Sequence, residues 1–427
     1  MAKTLNNNNK QAEEDFIIIS LLVVILLCFS TSVGARKFNK QSTTTTTMLG
    51  EFTTTPLVVE QDGICKSMVE TRGYICEEHQ VTTKDGYILS IQRIPQGRQS
   101  SKAQNKIPVL LQHGVLMDGI TWLLNPADQS LGFILADNGF DVWIANTRGT
   151  NYSRRHTTLT PTDPSYWDWS WDELVAYDLP ATVHYVYNQT AQKLHYVGHS
   201  LGTLIAFAAF SQKELVDTIR SAALLSPIAY LAEMSSVLAK TAAQSFLAED
   251  LYRLGIKEFA PRGEAVAKLL EEICKKPDNN CSDLLTSFTG PNCCLNSSWT
   301  DIFLEHEPQS TATKNMIHLA QMIREGTIEM YDYGNAEENM KHYGESTAPA
   351  YEMGRIPEDF PLFVSYGGQD YLSDVNDVHN LLKAIENHNA DKIVVQYIED
   401  YAHADFVFGV DANQLVYPHL IAFFKLH

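Results

Sequence analysis

The sequence predicts an α/β fold in which a mostly parallel sheet has helices on both faces. Short apolar runs recur along the chain, and each ends near a glycine or a small polar turn. The stretches between them have the length and pattern of helices, and this alternation is typical of parallel sheets. The runs are residues 109–112, 140–145, 194–197, 221–225, 362–366 and 393–398.

Two segments depart from this alternation. Residues 78–83 and 87–94 are rich in β-forming residues and flank Lys84-Asp-Gly86, a turn sequence that predicts a hairpin before the first run. Residues 228–358 separate the fourth run from the fifth and are mostly helical in pattern. A helical insertion of this size at one point predicts a cap over the carboxyl edge of the sheet.

The N-terminus has the pattern of a secretory signal peptide, which we assign to residues 1–35. Residues 16–29 form an apolar run that is too short to span a bilayer comfortably. Val33 and Ala35 are the small residues expected before a cleavage site, so cleavage is predicted before Arg36. Acidic residues stand beside the apolar run, where basic ones are usual, so a retained signal anchor or an unprocessed tail is the alternative.

The remainder of the chain divides into two parts. Residues 36–62 are rich in threonine, glutamine and lysine, which predicts a disordered lead-in. Residues 63–427 are predicted to form one α/β domain that includes the helical insertion. The chain is long enough for such a domain to bury a large apolar core.

Cysteine use agrees with an oxidising compartment, because six of the seven cysteines remain after removal of a signal peptide that carries Cys28. Cys65 and Cys76 are placed to close a short loop. The other four fall within a short stretch of the insertion, and their pairing stays open, with buried free thiols as the alternative. They are Cys274, Cys281, Cys293 and Cys294. No histidine pair stands nearby at the spacing of a zinc finger, so no metal site is predicted.

Four Asn-X-Ser/Thr sequons fit a glycosylated export product. The candidate sites are Asn151, Asn188, Asn280 and Asn296. Such sequons also arise by chance, and burial would prevent the modification of Asn151.

The net charge of −19 argues against two kinds of partner. The phosphates of a nucleic acid would be repelled, and anionic lipid would offer no electrostatic attraction. Any contact with a lipid interface therefore has to be made by apolar side chains, and we expect it to be transient.

Gly198-His-Ser-Leu-Gly202 carries the strongest chemical signal in the chain. It follows an apolar run directly and precedes residues 203–210, which have the pattern of a buried helix. A serine hydroxyl becomes an effective nucleophile when a tight strand-to-helix turn presents it beside a base, and glycines allow the backbone to cross closely. In this context the motif predicts the α/β-hydrolase fold with Ser200 as nucleophile. The alternative is an ordinary serine at a helix start.

The acid and the base of a catalytic triad follow the nucleophile in that order in this fold. Asp370 comes just after the run 362–366 and is the predicted acid, which would orient and stabilise the imidazole. His403 follows the last apolar run and is the predicted general base. We choose it among the histidines for this position at a strand end.

Other ionisable residues near these positions receive other roles. Asp374 is the second candidate for the acid, and its alternative role is to cap a helix. Asp405 is expected to be a solvated or locally hydrogen-bonded group. His195 and His199 are expected to be too close to Ser200 along the chain to fold back onto it.

Two backbone N–H groups are needed to stabilise the negative charge that develops on the substrate oxygen. One is predicted at Leu201, directly after the nucleophile. The other is predicted at Val115, in the loop after the first buried run, where Gly114 permits the turn.

With these residues placed, the chain resembles the acid lipases: the gastric and lysosomal acid lipases and, most closely, the plant triacylglycerol lipases of that family. The resemblance extends over residues 65–425. The stretches that carry it are residues 77–89, 111–114, 146–153, 167–174, 315–318, 331–335, 367–372 and 401–406. Leu201 stands where close relatives often have glutamine, which makes the pocket more apolar but keeps the backbone donor. The insertion's cysteines differ in number and spacing from those of the animal members.

The resemblance implies a lipase that hydrolyses acylglycerol esters through an acyl-enzyme, with Ser200 as nucleophile, Asp370 as acid and His403 as base. It implies Val115 and Leu201 as oxyanion donors. Serine, histidine and backbone donors suffice for this chemistry, so no metal or organic cofactor is expected, and the protein is expected to be a monomer. Its destination is either extracellular or vacuolar.

Two other functions remain as alternatives. One is an esterase or acyltransferase that acts on smaller, soluble esters, because the serine motif does not distinguish these substrates. The other is a protein of the same fold that binds a ligand without catalysis, although every triad position holds the required type of residue.

The start of the insertion, residues 228–232 and 237–247, is apolar with few polar breaks. One interpretation is an acyl-chain tunnel under a lid that opens at an oil–water interface. The other is that the helices of a cap bury an apolar face on the body beneath them.

Overall fold

The computed structural model describes residues 63–98, 105–263, 284–296 and 299–427. The predicted signal peptide and the predicted lead-in lie outside these residues. Cys274, Cys281 and Asn280 also lie outside them. The described residues all fall within one structural unit, Gln61–His427.

A mixed sheet forms the centre of the fold, and a separate two-stranded sheet lies in the insertion. The strands are β1 (Glu77–Thr82), β2 (Tyr87–Ile94), β3 (Pro108–Gln112), β4 (Asp141–Ala145), β5 (Arg155–His156), β6 (Leu194–His199), β7 (Ile219–Leu225), β8 (Glu258–Phe259), β9 (Thr311–Ala312), β10 (Leu362–Gly367) and β11 (Ile393–Ile398). In the described residues the central sheet has nine strands, in the order β1-β2-β4-β3-β6-β7-β10-β11, and β5 pairs with β2.

The directions of the strands confirm the predicted sheet. β1 and β2 form the predicted antiparallel hairpin, and β2 also pairs antiparallel with β4. From β4 across to β11 every neighbouring pair is parallel. Parallel strands bring their carboxyl ends to one edge of the sheet, which is where the loops that carry the candidate residues begin.

Most of the helices lie between these strands in chain order, and the last three follow β11. They are α1 (Leu131–Asp137), α2 (Trp171–Glu173), α3 (Leu179–Thr190), α4 (Leu201–Ser211), α5 (Val237–Gln244), α6 (Leu247–Arg253), α7 (Leu284–Thr289), α8 (Trp299–His306), α9 (Thr313–Glu325), α10 (Ala336–Tyr343), α11 (Val375–Ala384), α12 (Asp405–Phe408), α13 (Ala412–Leu415) and α14 (Tyr417–Leu426). Helices α5 to α10 fall between β7 and β10, in residues 226–361, which we call the cap.

The central sheet separates two apolar cores. In β3, Leu110 packs into one core with α3 and α4, whereas Val109 and Leu111 pack into the other with α1 and α14. Successive side chains of a strand point to opposite faces, so a strand covered on both faces must be apolar throughout. This explains why the buried strands read as continuous apolar runs in the sequence.

The cap packs on the carboxyl edge of the central sheet through backbone hydrogen bonds. The N–H of Gln309 donates to the carbonyl of Leu116, in the loop after β3, at 2.7 Å. The N–H of His403, after β11, donates to the carbonyl of Thr289 in the cap at 3.1 Å. The cap thus forms backbone hydrogen bonds with both the loop after β3 and the loop after β11.

The structure forms the predicted Cys65–Cys76 disulfide, with a Cα–Cα distance of 5.3 Å. Cys293 is bonded to its neighbour Cys294. The sequence left the pairing of these two cysteines open, and the structure resolves it for this pair.

The sequon asparagines that the structure describes are Asn151, Asn188 and Asn296, and all are exposed. Burial is therefore no obstacle to the modification of Asn151, contrary to the reservation raised from the sequence. No helix in the described part of the chain is both long and apolar enough to cross a membrane.

Arg148 joins three separate segments near the edge of the sheet. Its guanidinium group lies 2.6 Å from Asp85 in the hairpin turn and 2.6 Å from Asp178, just before α3. The same group lies over the ring of Tyr87, 3.8 Å from its centroid. Arg148 is only 1% exposed, so its charge depends on these partners for stabilisation.

Replacing Arg148 by methionine is expected to lower the free energy of unfolding by roughly 3–5 kcal/mol, because Asp178 would stay buried without its cation. Chemical denaturation measures this change. Arg253→Met is the matched control, since Arg253 pairs with Asp250 at an exposed site and its loss should cost less than about 1 kcal/mol. Equal effects of the two substitutions would contradict the role assigned to Arg148.

Candidate active site

Ser200 occupies the tight turn between β6 and α4. Its backbone has φ 55° and ψ −120°, a conformation that non-glycine residues rarely adopt. A Cβ atom on Gly198 would lie 2.6 Å from the carbonyl oxygen of Gly202, and one on Gly202 would lie 2.5 Å from that of Gln112. The two glycines of the motif are therefore required for strand and helix to cross this closely, as the sequence predicted.

Asp370 and His403 meet at the carboxyl ends of β10 and β11. Nδ1 of His403 lies 2.9 Å from Oδ2 and 3.0 Å from Oδ1 of Asp370. Because a carboxylate only accepts hydrogen bonds, Nδ1 carries the hydrogen, which leaves Nε2 free to accept a proton. Oδ1 also accepts the backbone N–H groups of Leu372 and Ser373, so the carboxylate is held in one orientation.

His199 connects the histidine loop to the nucleophile turn. It directly precedes Ser200, and its Nε2 donates to the carbonyl of His403 at 2.9 Å. The two imidazole rings lie 4.9 Å apart between centroids. The sequence argument set His199 aside as a candidate base because of its position next to Ser200, and it missed this contact with the backbone of His403.

Burial lowers the pKa of His199 to about 3, with the nearby His403 as a second cause. His199 is therefore neutral at mildly acidic and neutral pH. A neutral ring adds no positive charge beside His403, the candidate base.

Asp405 holds the histidine loop against the cap. It is fully buried, and its carboxylate accepts the backbone N–H groups of Ala402, Cys293 and Cys294 at 2.8, 3.2 and 3.1 Å. Burial raises its pKa to about 6. The expectation of a solvated group is wrong here, because three amide donors replace water, while the expectation of a hydrogen-bonding group is confirmed.

Asp374, the second candidate for the acid, has its alternative role. Its side chain accepts the N–H of Asn376 at 2.8 Å and caps the start of α11. It also accepts the hydroxyl of Ser235 in the cap at 2.8 Å. These contacts leave Asp370 as the carboxylate beside His403.

The loop after β3 passes directly against Ser200. A Cβ atom on Gly114 would lie 2.9 Å from Cβ and 3.4 Å from Oγ of Ser200, so only glycine fits there. Val115 follows in the same loop, and Leu201 is the first residue of α4. The two backbone N–H groups predicted for the oxyanion therefore belong to segments that border the nucleophile.

His113 fixes the peptide that carries the Val115 N–H. Its Nε2 accepts the N–H of Thr147 at 3.1 Å, so its Nδ1 carries the hydrogen and donates to the carbonyl of Gly114 at 2.8 Å. In a trans peptide the N–H points opposite to the C=O, so this bond also sets the direction of the Val115 N–H. Burial lowers the pKa of His113 to about 4, which keeps it neutral.

The group in the described residues most like a metal-ligand set is Cys293, Cys294 and Asp405, whose candidate ligand atoms lie within 4.8 Å of one another. The two sulfur atoms are joined in a disulfide, and the carboxylate accepts three N–H groups. Each potential ligand is thus already used within the protein. The group serves to attach the histidine loop to the cap.

A cavity of about 480 Å³ lies within the cap, between α6, α9 and the segment around Tyr331. Glu249, His318 and Arg324 are among the residues that line it. None of the candidate catalytic residues does so, and both interpretations of the apolar start of the insertion, an acyl-chain tunnel or the packing face of cap helices, stay open.

Comparison with known proteins defines the class to which this fold and site belong. Residues 107–409 match the family described as α/β hydrolase fold, and residues 65–126 match a partial α/β-hydrolase lipase region. A monoglyceride lipase from Saccharomyces cerevisiae, solved as a soluble variant, has a TM-score of 0.52 at 12% identity, covering 83% of this chain and 97% of that one. At that identity the likeness establishes the fold alone, and the chain is an α/β hydrolase.

Curated relatives narrow the class to a family. Triacylglycerol lipase 2 of Arabidopsis thaliana is 55% identical over 366 residues, which cover 85% of this chain and 88% of the relative. The human lysosomal acid lipase/cholesteryl ester hydrolase is 39% identical, covering 82% and 87%, and the gastric triacylglycerol lipase of Rattus norvegicus is 38% identical, covering 83% and 90%. The chain belongs to this family of lipases and is a carboxylic ester hydrolase.

Replacing His113 by phenylalanine is expected to lower kcat by about 10- to 100-fold and to leave KM unchanged, because the Val115 peptide loses the bond that orients it. The measurement is steady-state hydrolysis of a soluble ester. His195→Phe is the matched control: His195 is also buried, but it lies at the start of β6 and bonds to Ser221. If both variants lose the same activity, His113 has no specific part in the site.

Proposed function

We propose that this protein is a secreted serine lipase that hydrolyses the ester bonds of acylglycerols through an acyl-enzyme. Ser200 is the nucleophile, His403 the general base and Asp370 the acid. The observation that carries the proposal is the Asp370–His403 hydrogen bond beside the tight turn that presents Ser200. The family's named triacylglycerol lipases support the choice of substrate.

The first half of the reaction forms the acyl-enzyme. Oγ of Ser200 attacks the ester carbonyl carbon while Nε2 of His403 takes its proton. The carbonyl oxygen becomes negatively charged and accepts hydrogen bonds from the N–H groups of Val115 and Leu201. The intermediate then collapses, and the alcohol leaves with the proton that His403 returns to it. Asp370 keeps the imidazole oriented and stabilises its cationic form throughout.

The second half releases the fatty acid. Water gives a proton to Nε2 of His403 and attacks the acyl carbon, and the same two N–H groups stabilise the second intermediate. Its collapse breaks the bond to Oγ of Ser200, which takes the proton back from His403. Proton transfer in both directions requires that Nε2 of His403 carries no proton at the start of each half-reaction. The hydrogen bond from Nδ1 to Asp370 favours that tautomer.

Several features support action at a lipid surface. Val237, Phe246 and Leu254 lie in or beside α5 and α6 of the cap and are 56%, 48% and 54% exposed. Apolar side chains of this kind gain free energy by entering a lipid phase, and the net charge of −19 provides no substitute attraction. These side chains of the cap are thus proposed to make transient contact with the lipid surface.

Export through the secretory pathway is part of the same proposal. The Cys65–Cys76 disulfide and the exposed sequons at Asn151, Asn188 and Asn296 fit an oxidising, glycosylating compartment. The lysosomal and gastric relatives support this route. We further propose that the enzyme acts as a monomer and needs no metal or organic cofactor.

Ser200→Ala is expected to lower kcat roughly a million-fold, to below detection, because the attacking oxygen is removed. The measurement is fatty acid release from emulsified long-chain triacylglycerol by the glycosylated mature protein. Ser211→Ala is the matched control, since Ser211 is also buried and lies at the far end of the same helix. Residual activity of Ser200→Ala comparable to that of the control would rule out this nucleophile.

The substrate assignment has a separate test. The rate is expected to rise steeply once an ester exceeds its solubility and forms an interface, because the exposed cap residues then find a lipid phase. Val237→Ser combined with Phe246→Ser should reduce this rise and leave hydrolysis of a dissolved short-chain ester unchanged. Activity confined to dissolved esters would instead identify an esterase that uses the same triad.

A further inference from the structure

Two carboxyl groups lie buried against each other where the cap meets the loop after β3. Asp118 belongs to that loop, and Glu307 follows α8 in the cap; neither is exposed to solvent. The N–H of Asp118 donates to Oε1 of Glu307 at 3.0 Å. Oδ1 of Asp118 accepts the N–H of Ile120, at the start of the 3₁₀ helix Gly119–Leu123.

The remaining carboxyl oxygens have no described cation beside them; burial raises the pKa of Glu307, and the side-chain amide of Gln309 acts to lower it. Within the described residues, Oδ2 of Asp118 and Oε2 of Glu307 are buried and accept no hydrogen bond. No described Lys, Arg or His pairs with either group. Two negative charges buried this close together, with no described Lys, Arg or His beside them, would repel each other, so the pair must hold at least one proton.

The other titratable groups near the pair provide no positive charge that would offset the repulsion between the two carboxylates. Tyr152 lies nearby, and burial, together with the charges of Asp118 and Glu78, raises its pKa to about 12, so it stays neutral. Glu78, from β1, would only add negative charge. His306 precedes Glu307 on α8, and burial lowers its pKa, so it offers no cation at neutral pH.

The pair stands beside the loop that carries a proposed oxyanion donor. Leu116, next to Val115, has φ 59°, a strained conformation for a leucine. Its carbonyl accepts the N–H of Gln309, which is close to Glu307 in the same cap segment. The side chain of Gln309 in turn accepts the N–H of Asn151. A strained loop persists only where its surroundings hold it, and residues 307–309 provide that hold.

We propose that Glu307 is a positioning residue for the oxyanion hole, and that the Asp118–Glu307 pair must carry a proton for the cap to hold the loop in its active conformation. The inference rests on the proposed function, because it concerns the N–H of Val115. Ionisation of both groups would drive residues 307–309 away from the loop. The strain at Leu116 would then relax and move the donor.

The direction of the pH dependence follows from the burial of the pair. Burial raises the pKa of Asp118 to about 7, and burial together with the charge of Asp118 raises that of Glu307 well above its ordinary value. Groups with raised pKa values keep their protons at acid pH and lose them as the pH rises. The contact is therefore stable in acid and weakens as the pH rises from the ordinary carboxyl range through about 7.

Glu307→Gln tests the proposal because glutamine keeps the acceptor for the Asp118 N–H, supplies a permanent donor and cannot ionise. The kcat and KM for a dissolved short-chain ester are measured from pH 5 to pH 9. Wild type and variant should agree at pH 5, whereas at pH 8 the variant should have about tenfold higher kcat at unchanged KM. Glu305→Gln, an exposed change in the same segment, should follow wild type throughout.

Superimposed kcat profiles of Glu307→Gln and wild type would overturn the proposal, as would a change in KM alone. The melting temperature of each variant is measured over the same pH range, and that of wild type should fall relative to Glu307→Gln as the pH rises. Asp118→Asn should reproduce both effects if Glu307→Gln folds poorly. If the wild type hydrolyses no ester, the proposed function fails. If wild type and Glu307→Gln show the same change of melting temperature with pH, the proposal that the pair must carry a proton fails.

Discussion

The close crossing of β6 and α4 at Ser200 is the constraint on which the rest of the site depends. Gly202 lies so near Gln112 that the end of β3 and the start of the helix must touch, and Gly114 passes against Ser200 for the same reason. Ser200 is forced into a rare backbone conformation, and its neighbours His199 and Leu201 are placed by the same turn. His199 donates a hydrogen bond to the carbonyl of His403, and Leu201 carries the N–H proposed for the oxyanion. A single packing requirement thus fixes Ser200, the proposed nucleophile, and the groups on both sides of it.

The sequence predicted the framework of this arrangement because local patterns encode it. Strands covered on both faces must be apolar throughout, so β3, β6 and β10 could be located almost to the residue. Gly198 is required by a contact with Gly202 inside the motif itself, whereas Gly202 is required by its contact with Gln112 at the end of β3. Asp370 and His403 follow strand ends, and parallel strands deliver their ends to one edge, so their meeting follows from topology. Asp374 was correctly identified as a possible helix cap.

Other contributions could not be predicted, because they depend on partners distant in the chain. His113 has no visible role until Thr147, on the next strand's loop, is seen to set its tautomer. Asp405 was expected to be solvated or locally hydrogen-bonded, and only the fold brings the distant N–H groups of Cys293 and Cys294 to it. Glu307 lies in a segment of ordinary composition, and its partner is Asp118, almost half the chain away. Electrostatic pairs of this kind leave no periodic pattern in a sequence.

The attachments of the cap divide it into two mechanical parts. In one part, which we call the rim, Thr289 and Gln309 of the cap make backbone hydrogen bonds to the body. Asp405 of the body also accepts the backbone N–H of Cys294 in the cap. Helices α5 and α6 have exposed apolar side chains and pack mainly on α9, within the cap itself. A rigid-body movement of the whole insertion would break the hydrogen bonds that hold the loops after β3 and β11. We therefore expect any opening of the cap to move α5 and α6 while the segments bonded to the body keep their positions.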